Sequence, residues 1–324
     1  MKAAIIAEAG KVPTYGDFND PTAQPGEELI TVSAAALTHL TKGRASGAHY
    51  SSDQVFPAVV GAEGVGRTQD GRRVYFVLPE APFGAFAEKT RVRSAQCVPV
   101  PEAVDDVTAA AIANPGMSSW AALVERACLK PGETVLVNGA TGVAGRLAVQ
   151  IAKYMGASKV IATGRDEKAL EELRAIGGDI VIPFKLGPSN LGGVDEYENA
   201  LKQQFAIGVD VVLDYLWGKS AETVIIATAK ASREGVPVRF IHVGGASRED
   251  VQLPGAALRS SSLVLMGSGA KSIPLRGLLA AVSSVFQAVL PANLHINTKT
   301  VPLSDVEKAW NADSGKSRIV FVVS

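Results

Sequence analysis

Gly139-Ala140-Thr141-Gly142-Val143-Ala144-Gly145 follows directly on the apolar run Val135-Leu136-Val137. It opens a segment whose apolar residues, Val143, Leu147, Val149, Ile151 and Ala152, suit a buried helix. A glycine-rich turn alone carries little information. One set between a strand and a helix, inside a βαβ unit, is the mark of a dinucleotide-binding fold. Gly139 permits a tight turn, Gly142 lets the backbone approach a pyrophosphate, and Gly145 lets helix and sheet pack closely. Thr141 and Val143 complete the turn. The helix N-terminus offers unpaired N–H groups and a partial positive charge. The plainer alternative is a strand–turn–helix that needs small residues for packing.

The surrounding pattern supports the nucleotide reading. Apolar, β-branched runs at 134–137, 159–163, 179–182, 209–214, 238–243 and 263–266 alternate with helical stretches near 143–155, 166–176, 195–206, 218–231 and 273–289. Such alternation predicts a parallel sheet covered on both faces. The fold class expected is α/β, a Rossmann doubly wound sheet over 118–267. The first hundred residues differ. Short runs such as 28–32, 73–77 and 86–92, separated by Gly and Pro, predict a compact β-rich domain, partly closed as a barrel. It spans 1–117, and 268–324 returns to complete it, with strands at 298–303 and 318–323. A cleft between two lobes would then be a favoured ligand position. A helix over 107–112 is expected to break at Asn114-Pro115-Gly116, with a second from Ser118 to Ala127. The Gly-rich stretch 184–193 reads as a surface loop.

The strand after the glycine motif selects the cofactor. Where the dinucleotide lacks a 2′-phosphate, this strand usually ends in Asp or Glu, which binds the ribose 2′-hydroxyl. Here it ends Ala162-Thr163-Gly164-Arg165, with Lys168 close behind. Arg165 can grip a 2′-phosphate with its planar fork, and Lys168 adds a second charge. The cofactor expected is NADPH. Asp166 is the competing residue, able to turn back toward the ribose; the bland alternative makes Arg165 and Lys168 a solvated helix start.

Composition narrows the partners. Lys plus Arg and Asp plus Glu are equal at 32 each, which gives no electrostatic reason to expect nucleic acid or an anionic membrane. No apolar run reaches membrane-spanning length, and Met1 to Ile6 reads as a first strand and not as a signal sequence. Two separated cysteines, Cys97 and Cys128, suggest neither a disulfide framework nor a four-cysteine zinc site. A cytoplasmic protein is expected.

The ordered motifs resemble the medium-chain dehydrogenase/reductase superfamily, specifically its zinc-free quinone oxidoreductase branch. The resemblance spans nearly the whole chain. It rests on residues 44–50 (Arg44 to Tyr50), 56–66 (Phe56 to Gly66, including Gly61-Ala62-Glu63-Gly64), 83–88, the glycine motif, and 210–214. It implies a GroES-like catalytic domain beside the Rossmann domain. Zinc-dependent members carry a Cys and a His where this chain has Thr38 and Ala62. Neither is a zinc ligand, so no metal is expected; His39 and His49 are the nearby imidazoles. Without a Lewis acid, the fitting reaction is hydride delivery from NADPH to an already electrophilic quinone or α,β-unsaturated carbonyl. Tyr50 resembles a tyrosine of related enoyl reductases and is the candidate proton or hydrogen-bond donor, with pocket wall as its alternative. Thr38 corresponds to an Asn near the nicotinamide and still offers a hydroxyl. Val243 and Gly244 are expected beside the nicotinamide, and Gly267 and Ser268 form another cofactor-adjacent turn. Asn114 and Trp217 are weaker candidates, and His242 reads as a hydrogen-bonded core histidine. A homodimer joined through the sheet edge near Leu263–Met266 is implied. Competing readings are an NADPH-binding regulatory or structural protein with little turnover, and a zinc-type alcohol dehydrogenase.

Overall fold

The computed structural model describes residues 1–324 apart from 50, 51, 53, 54, 188–191, 248, 314 and 324. Contacts divide the chain into two units, one of residues 1–114, 282–289 and 295–324, the other of residues 115–281 and 290–294. The segment 268–281 groups with the second of these units, where the sequence pattern suggests the β-rich one. Among the described residues, no helix is long and apolar enough to cross a membrane.

The first unit contains β1 (Lys2–Ile6), β2 (Thr14–Asp17), β3 (Glu27–Ala36), α1 (His39–Ala45), β4 (Ala58–Val59), β5 (Glu63–Thr68), β6 (Arg73–Val77), β7 (Lys89–Arg93) and β8 (Cys97–Pro99). The helix α2 (Asp106–Ala121) follows and carries the unit boundary. In the second unit come β9 (Thr134–Asn138), α3 (Val143–Tyr154), β10 (Lys159–Gly164), α4 (Glu167–Glu171), β11 (Ile180–Pro183) and α5 (Gly193–Ile207). They are followed by β12 (Val211–Asp214), α6 (Gly218–Ala231), β13 (Val238–His242), α7 (Gly255–Arg259), β14 (Leu263–Gly267) and α8 (Leu275–Ala288). The chain ends with β15 (Thr298–Pro302), α9 (Val306–Trp310) and β16 (Arg318–Val322).

Among the described residues, the first unit holds a seven-stranded sheet in the order β15-β16-β3-β5-β6-β8, with β7 also paired to β3, and a three-stranded sheet β2-β1-β4. The pairings are antiparallel except β15 with β16. The glycines of Gly61 to Gly66 have a steric cause. A Cβ on Gly66 would stand 2.3 Å from the Thr31 carbonyl oxygen, and one on Gly61 2.6 Å from the Phe86 nitrogen. Strand and loop approach their neighbours too closely for a side chain. One buried core contains Ile30, Val32, Phe76 and Phe86 together with Trp310 and Phe321 of the C-terminal segment, and residues 295–324 group with this unit.

The second unit is a six-stranded parallel sheet, β11-β10-β9-β12-β13-β14, the doubly wound order with its reversal between β9 and β12. β12 is buried along its whole length, and β9 and β10 are buried beyond their first residue, as continuous apolar runs require when helices cover both faces. One local expectation fails. Pro115 does not break the helix; α2 runs through it and continues as a π-helical turn, Ala122–Arg126. Proline removes one donor and ordinarily costs about 3 kcal/mol inside a helix. Here Ala110 to Ala113 upstream and Ser119 and Ala121 downstream are buried, so leaving the helix would expose or orphan both flanks. Ser118 and Ser119 hydroxyls both donate to the Pro115 carbonyl at 2.9 Å.

Candidate functional site

The turn between β9 and α3 is held by Gly139 N and Ala140 N, which donate to the Thr163 carbonyl at 3.1 and 2.9 Å. Gly139 has φ +88, and a Cβ there would meet the Leu216 side chain at 2.8 Å. A Cβ on Gly145 would lie 2.3 Å from the Gly139 oxygen and 2.6 Å from Ala140 Cα. Gly164 is constrained too, its Cβ position 2.9 Å from Thr141 Cγ2. Gly142 differs: a Cβ there meets nothing nearer than 3.7 Å, and the residue is exposed. It is the N-cap of α3 and has no side chain to satisfy the helix. The first N–H groups of α3, from Val143 onward, are therefore left for an anion. Thr141 and Val143 are partly exposed beside them. Three glycines are needed for packing, and the fourth keeps the helix end open.

At the tip of β10, Arg165 and Lys168 are exposed. Neither makes a salt bridge or side-chain hydrogen bond among the described residues. Their acidic neighbours are engaged elsewhere. Asp166 is the N-cap of α4, its carboxylate accepting from Ala169 N at 2.9 Å. Glu167 pairs with Lys185 at 2.8 Å. The competing reading of Asp166 as a ribose ligand thus meets a carboxylate already serving a helix cap.

On the other side of the sheet reversal, Val243 N and Gly244 N both donate to the Asp214 carbonyl, and Ser268 N donates to the His242 carbonyl. The Gly267 carbonyl accepts from Arg126 Nε at 2.8 Å. These residues stand at the carboxyl edge of β13 and β14, where ligands of open α/β sheets bind. The amide hydrogens of Val243, Gly244 and Ser268 and the carbonyl of Gly267 are thus spent inside the protein.

Beneath this edge lies a buried polar network that the sequence motifs do not announce. Asn138 Nδ2 donates to Asp214 Oδ1 at 2.8 Å and to Ser220 Oγ at 3.1 Å. Asn138 Oδ1 accepts from Thr163 Oγ1 at 2.8 Å and Tyr197 Oη at 3.2 Å. Burial pushes the Tyr197 phenol upward, so it remains a donor. The one sequence signal is that β9 and β12 each end an apolar run in a polar residue. His242 is hydrogen-bonded as expected, through Nδ1 to Asp214 Oδ2 at 3.1 Å. It is not a core residue, however: its side chain is 36% exposed because it lies at the strand's end.

In the first unit, Tyr50 lies outside the described residues. Thr38 is buried and is the N-cap of α1; its oxygen accepts from Thr41 N at 3.1 Å and its hydroxyl donates to Thr41 Oγ1 at 3.2 Å. Beside it is a group that sequence reading passes over. Glu63 is fully buried, and its Oε2 accepts the Tyr75 hydroxyl. Its Oε1 has no hydrogen-bond partner among the described residues. Burial pushes this carboxyl up to about 7, against the Tyr75 hydrogen bond, the Arg318 charge and contacts with Thr38 and Asn114. Asn114 thus faces Glu63, and Trp217 packs against Phe240 and His242 in the other unit. Among the described residues, no cluster of three or more His, Cys, Asp or Glu has the disposition to hold a metal ion. Thr38 and Ala62 stand where the sequence comparison with zinc-dependent members places ligands, and neither side chain is of a type that ligates zinc.

Residues 143–274 match the family model described as zinc-binding dehydrogenase; that stretch does not include Thr38 or Ala62. The chain is 26% identical over 363 aligned positions, covering 99% of itself and 100% of the relative, to a "Probable NADPH-dependent quinone reductase" of Emericella nidulans. It is 32% identical to a chloroplastic NADPH-dependent alkenal/one oxidoreductase of Arabidopsis thaliana, over 57% of this chain and 52% of that one. Among solved structures, it superposes on a quinone oxidoreductase from Thermus thermophilus, also solved with NADPH, at a TM-score of 0.80 and 26% identity, covering 99% and 100% of the two chains. The glycine-rich turn and the doubly wound order agree with these likenesses, and over nearly its whole length the chain is similar to quinone oxidoreductases.

Proposed function

We propose that this protein is an NADPH-dependent oxidoreductase that delivers hydride to a quinone or an α,β-unsaturated carbonyl. The observation that carries the reading is the open, side-chain-free N-terminus of α3 at Gly142, with Arg165 and Lys168, partnerless among the described residues, at the tip of the adjacent strand. The first suits a pyrophosphate and the second a 2′-phosphate. Bound NADPH supplies the hydride. The chain's own tasks are to hold the dinucleotide across the strand ends, orient the acceptor, and deliver one proton.

The residue roles extend this reading. The α3 N–H groups from Val143 onward hold the pyrophosphate, Gly139, Thr141, Gly142, Gly145 and Gly164 shape the turn, and Arg165 with Lys168 binds the 2′-phosphate. Val243, Gly244, Gly267 and Ser268 form the nicotinamide wall. The antiparallel unit is the catalytic, GroES-like domain, where Tyr50 donates to the acceptor's carbonyl oxygen and the Thr38 hydroxyl lies near the nicotinamide. The protein works as a cytoplasmic homodimer. The support for the dimer is β14, an edge strand with Val264 42% exposed, which an equivalent strand could pair.

The direct test follows NADPH oxidation by near-ultraviolet absorbance against a panel of quinones and enones. Steady turnover on at least one acceptor class is expected. Tight NADPH binding with no turnover on any acceptor would instead make the protein a cofactor-binding regulator.

A further inference from the structure

The last residues of four adjacent strands stand level at the carboxyl edge of the parallel sheet. Asn138 is opposite Asp214, Asp214 opposite His242, and His242 opposite Gly267. Asn138 and Asp214 are fully buried, whereas the His242 side chain is 36% exposed. The polar network therefore reaches the surface through one imidazole.

The state of that imidazole can be read from its partners. Asn138 Nδ2, Leu216 N and Trp217 N already converge on the Asp214 carboxylate, at 2.8, 3.2 and 3.1 Å. A carboxylate fed by three N–H donors acts as an acceptor toward His242 as well. His242 Nδ1 therefore carries the proton, and the ring is fixed with Nε2 on the far side. Nε2 has no partner among the described residues. A second observation points to a ligand here. Trp217, whose ring centroid lies 4.4 Å from that of His242, holds φ +63, and Gly218 follows at φ +61. A left-handed tryptophan is a strained conformation that persists only where its surroundings enforce it, and such strain concentrates at ligand sites.

Strand order assigns the ligand's part. β9 to β11 form one mononucleotide half, with Arg165 at the tip of β10; β12 to β14 form the other, with His242 at the end of β13. We propose that His242 Nε2, braced by Asp214, hydrogen-bonds a hydroxyl of the nicotinamide-side ribose. This rests on the dinucleotide-binding reading above.

Two substitutions separate the ring's nitrogens. In H242N the amide nitrogen falls near Nδ1, so the bond to Asp214 is kept and the outer nitrogen is lost. In H242Q the amide reaches the outer position. Calorimetric titrations would use NADPH, NADH and 2′,5′-ADP, which carries only the adenosine half. H242N should weaken NADPH and NADH alike, by about fivefold, the order expected for one hydrogen bond. Its affinity for 2′,5′-ADP should be unchanged, and H242Q should recover part of the loss. Wild-type NADPH affinity in H242N would overturn the proposal, as would an equal loss for 2′,5′-ADP. Wild-type protein that binds neither dinucleotide would instead remove the cofactor reading itself.

Discussion

Replacing Glu63 with glutamine isolates the cost of one buried charge. The carboxyl is fully buried, accepts from Tyr75, and leaves Oε1 without a partner among the described residues. Burial pushes it from 4.5 up to about 7, the Arg318 charge offsetting only part of the penalty. A carboxyl raised in the folded state binds its proton more tightly there than in the unfolded chain. The stability it contributes is complete below 4.5 and is lost as pH rises through 7. A gap of 2.5 between those two values, at about 1.4 kcal/mol per unit, comes to roughly 3–4 kcal/mol. The neutral amide of E63Q mimics the protonated acid at every pH and shows no such loss. Urea unfolding of both proteins at about pH 5 and about pH 8 should find E63Q gaining on wild type by about 2–3 kcal/mol at the higher pH. A difference between the two proteins that does not change with pH would mean that Glu63 stays ionised beside Arg318, and the burial argument would fail.

Other substitutions test separate parts of the account. Gly145→Ala sets a Cβ 2.3 Å from the Gly139 oxygen; the displaced turn should weaken NADPH by at least about tenfold, measured by titration, at about 1.4 kcal/mol per decade. Val264→Lys on the exposed edge strand should convert a dimer to monomers in analytical ultracentrifugation, and an unchanged mass would place the interface elsewhere. Tyr50→Phe should lower kcat on enones by about tenfold or more with little change in NADPH affinity, since a lost donor acts on the reacting oxygen alone; unchanged turnover would make Tyr50 a pocket wall.

What the sequence reveals divides by range. Gly139 to Gly145 is legible because its requirements are local: a strand, a positive-φ turn and a helix start within a few residues. The parallel strands are legible because burial on both faces leaves continuous apolar runs such as Val211-Val212-Leu213. Pro115 misleads because its local preference is overridden by burial of residues on both sides of it, which no short window records. The Asn138–Asp214–His242 network joins residues 76 and 28 positions apart, so only strand order reveals it. Glu63 looks like part of a glycine-rich motif, and its burial against Tyr75 and Arg318 follows from the pairing of β5 with β6 and the return of the C-terminal strand to that unit. Tyr50 stays where the sequence leaves it, a residue singled out by resemblance.

The central claim is that Arg165 and Lys168 hold the phosphate that distinguishes NADPH from NADH. The most direct measurement is the pair of dissociation constants for wild type and Arg165→Ala, at one fixed ionic strength. Wild type should bind NADPH at least about tenfold more tightly than NADH, or about 1.4 kcal/mol. Arg165→Ala should lose most of that preference by weakening NADPH alone. Equal weakening of both dinucleotides, or a preference that survives the substitution, would contradict the account.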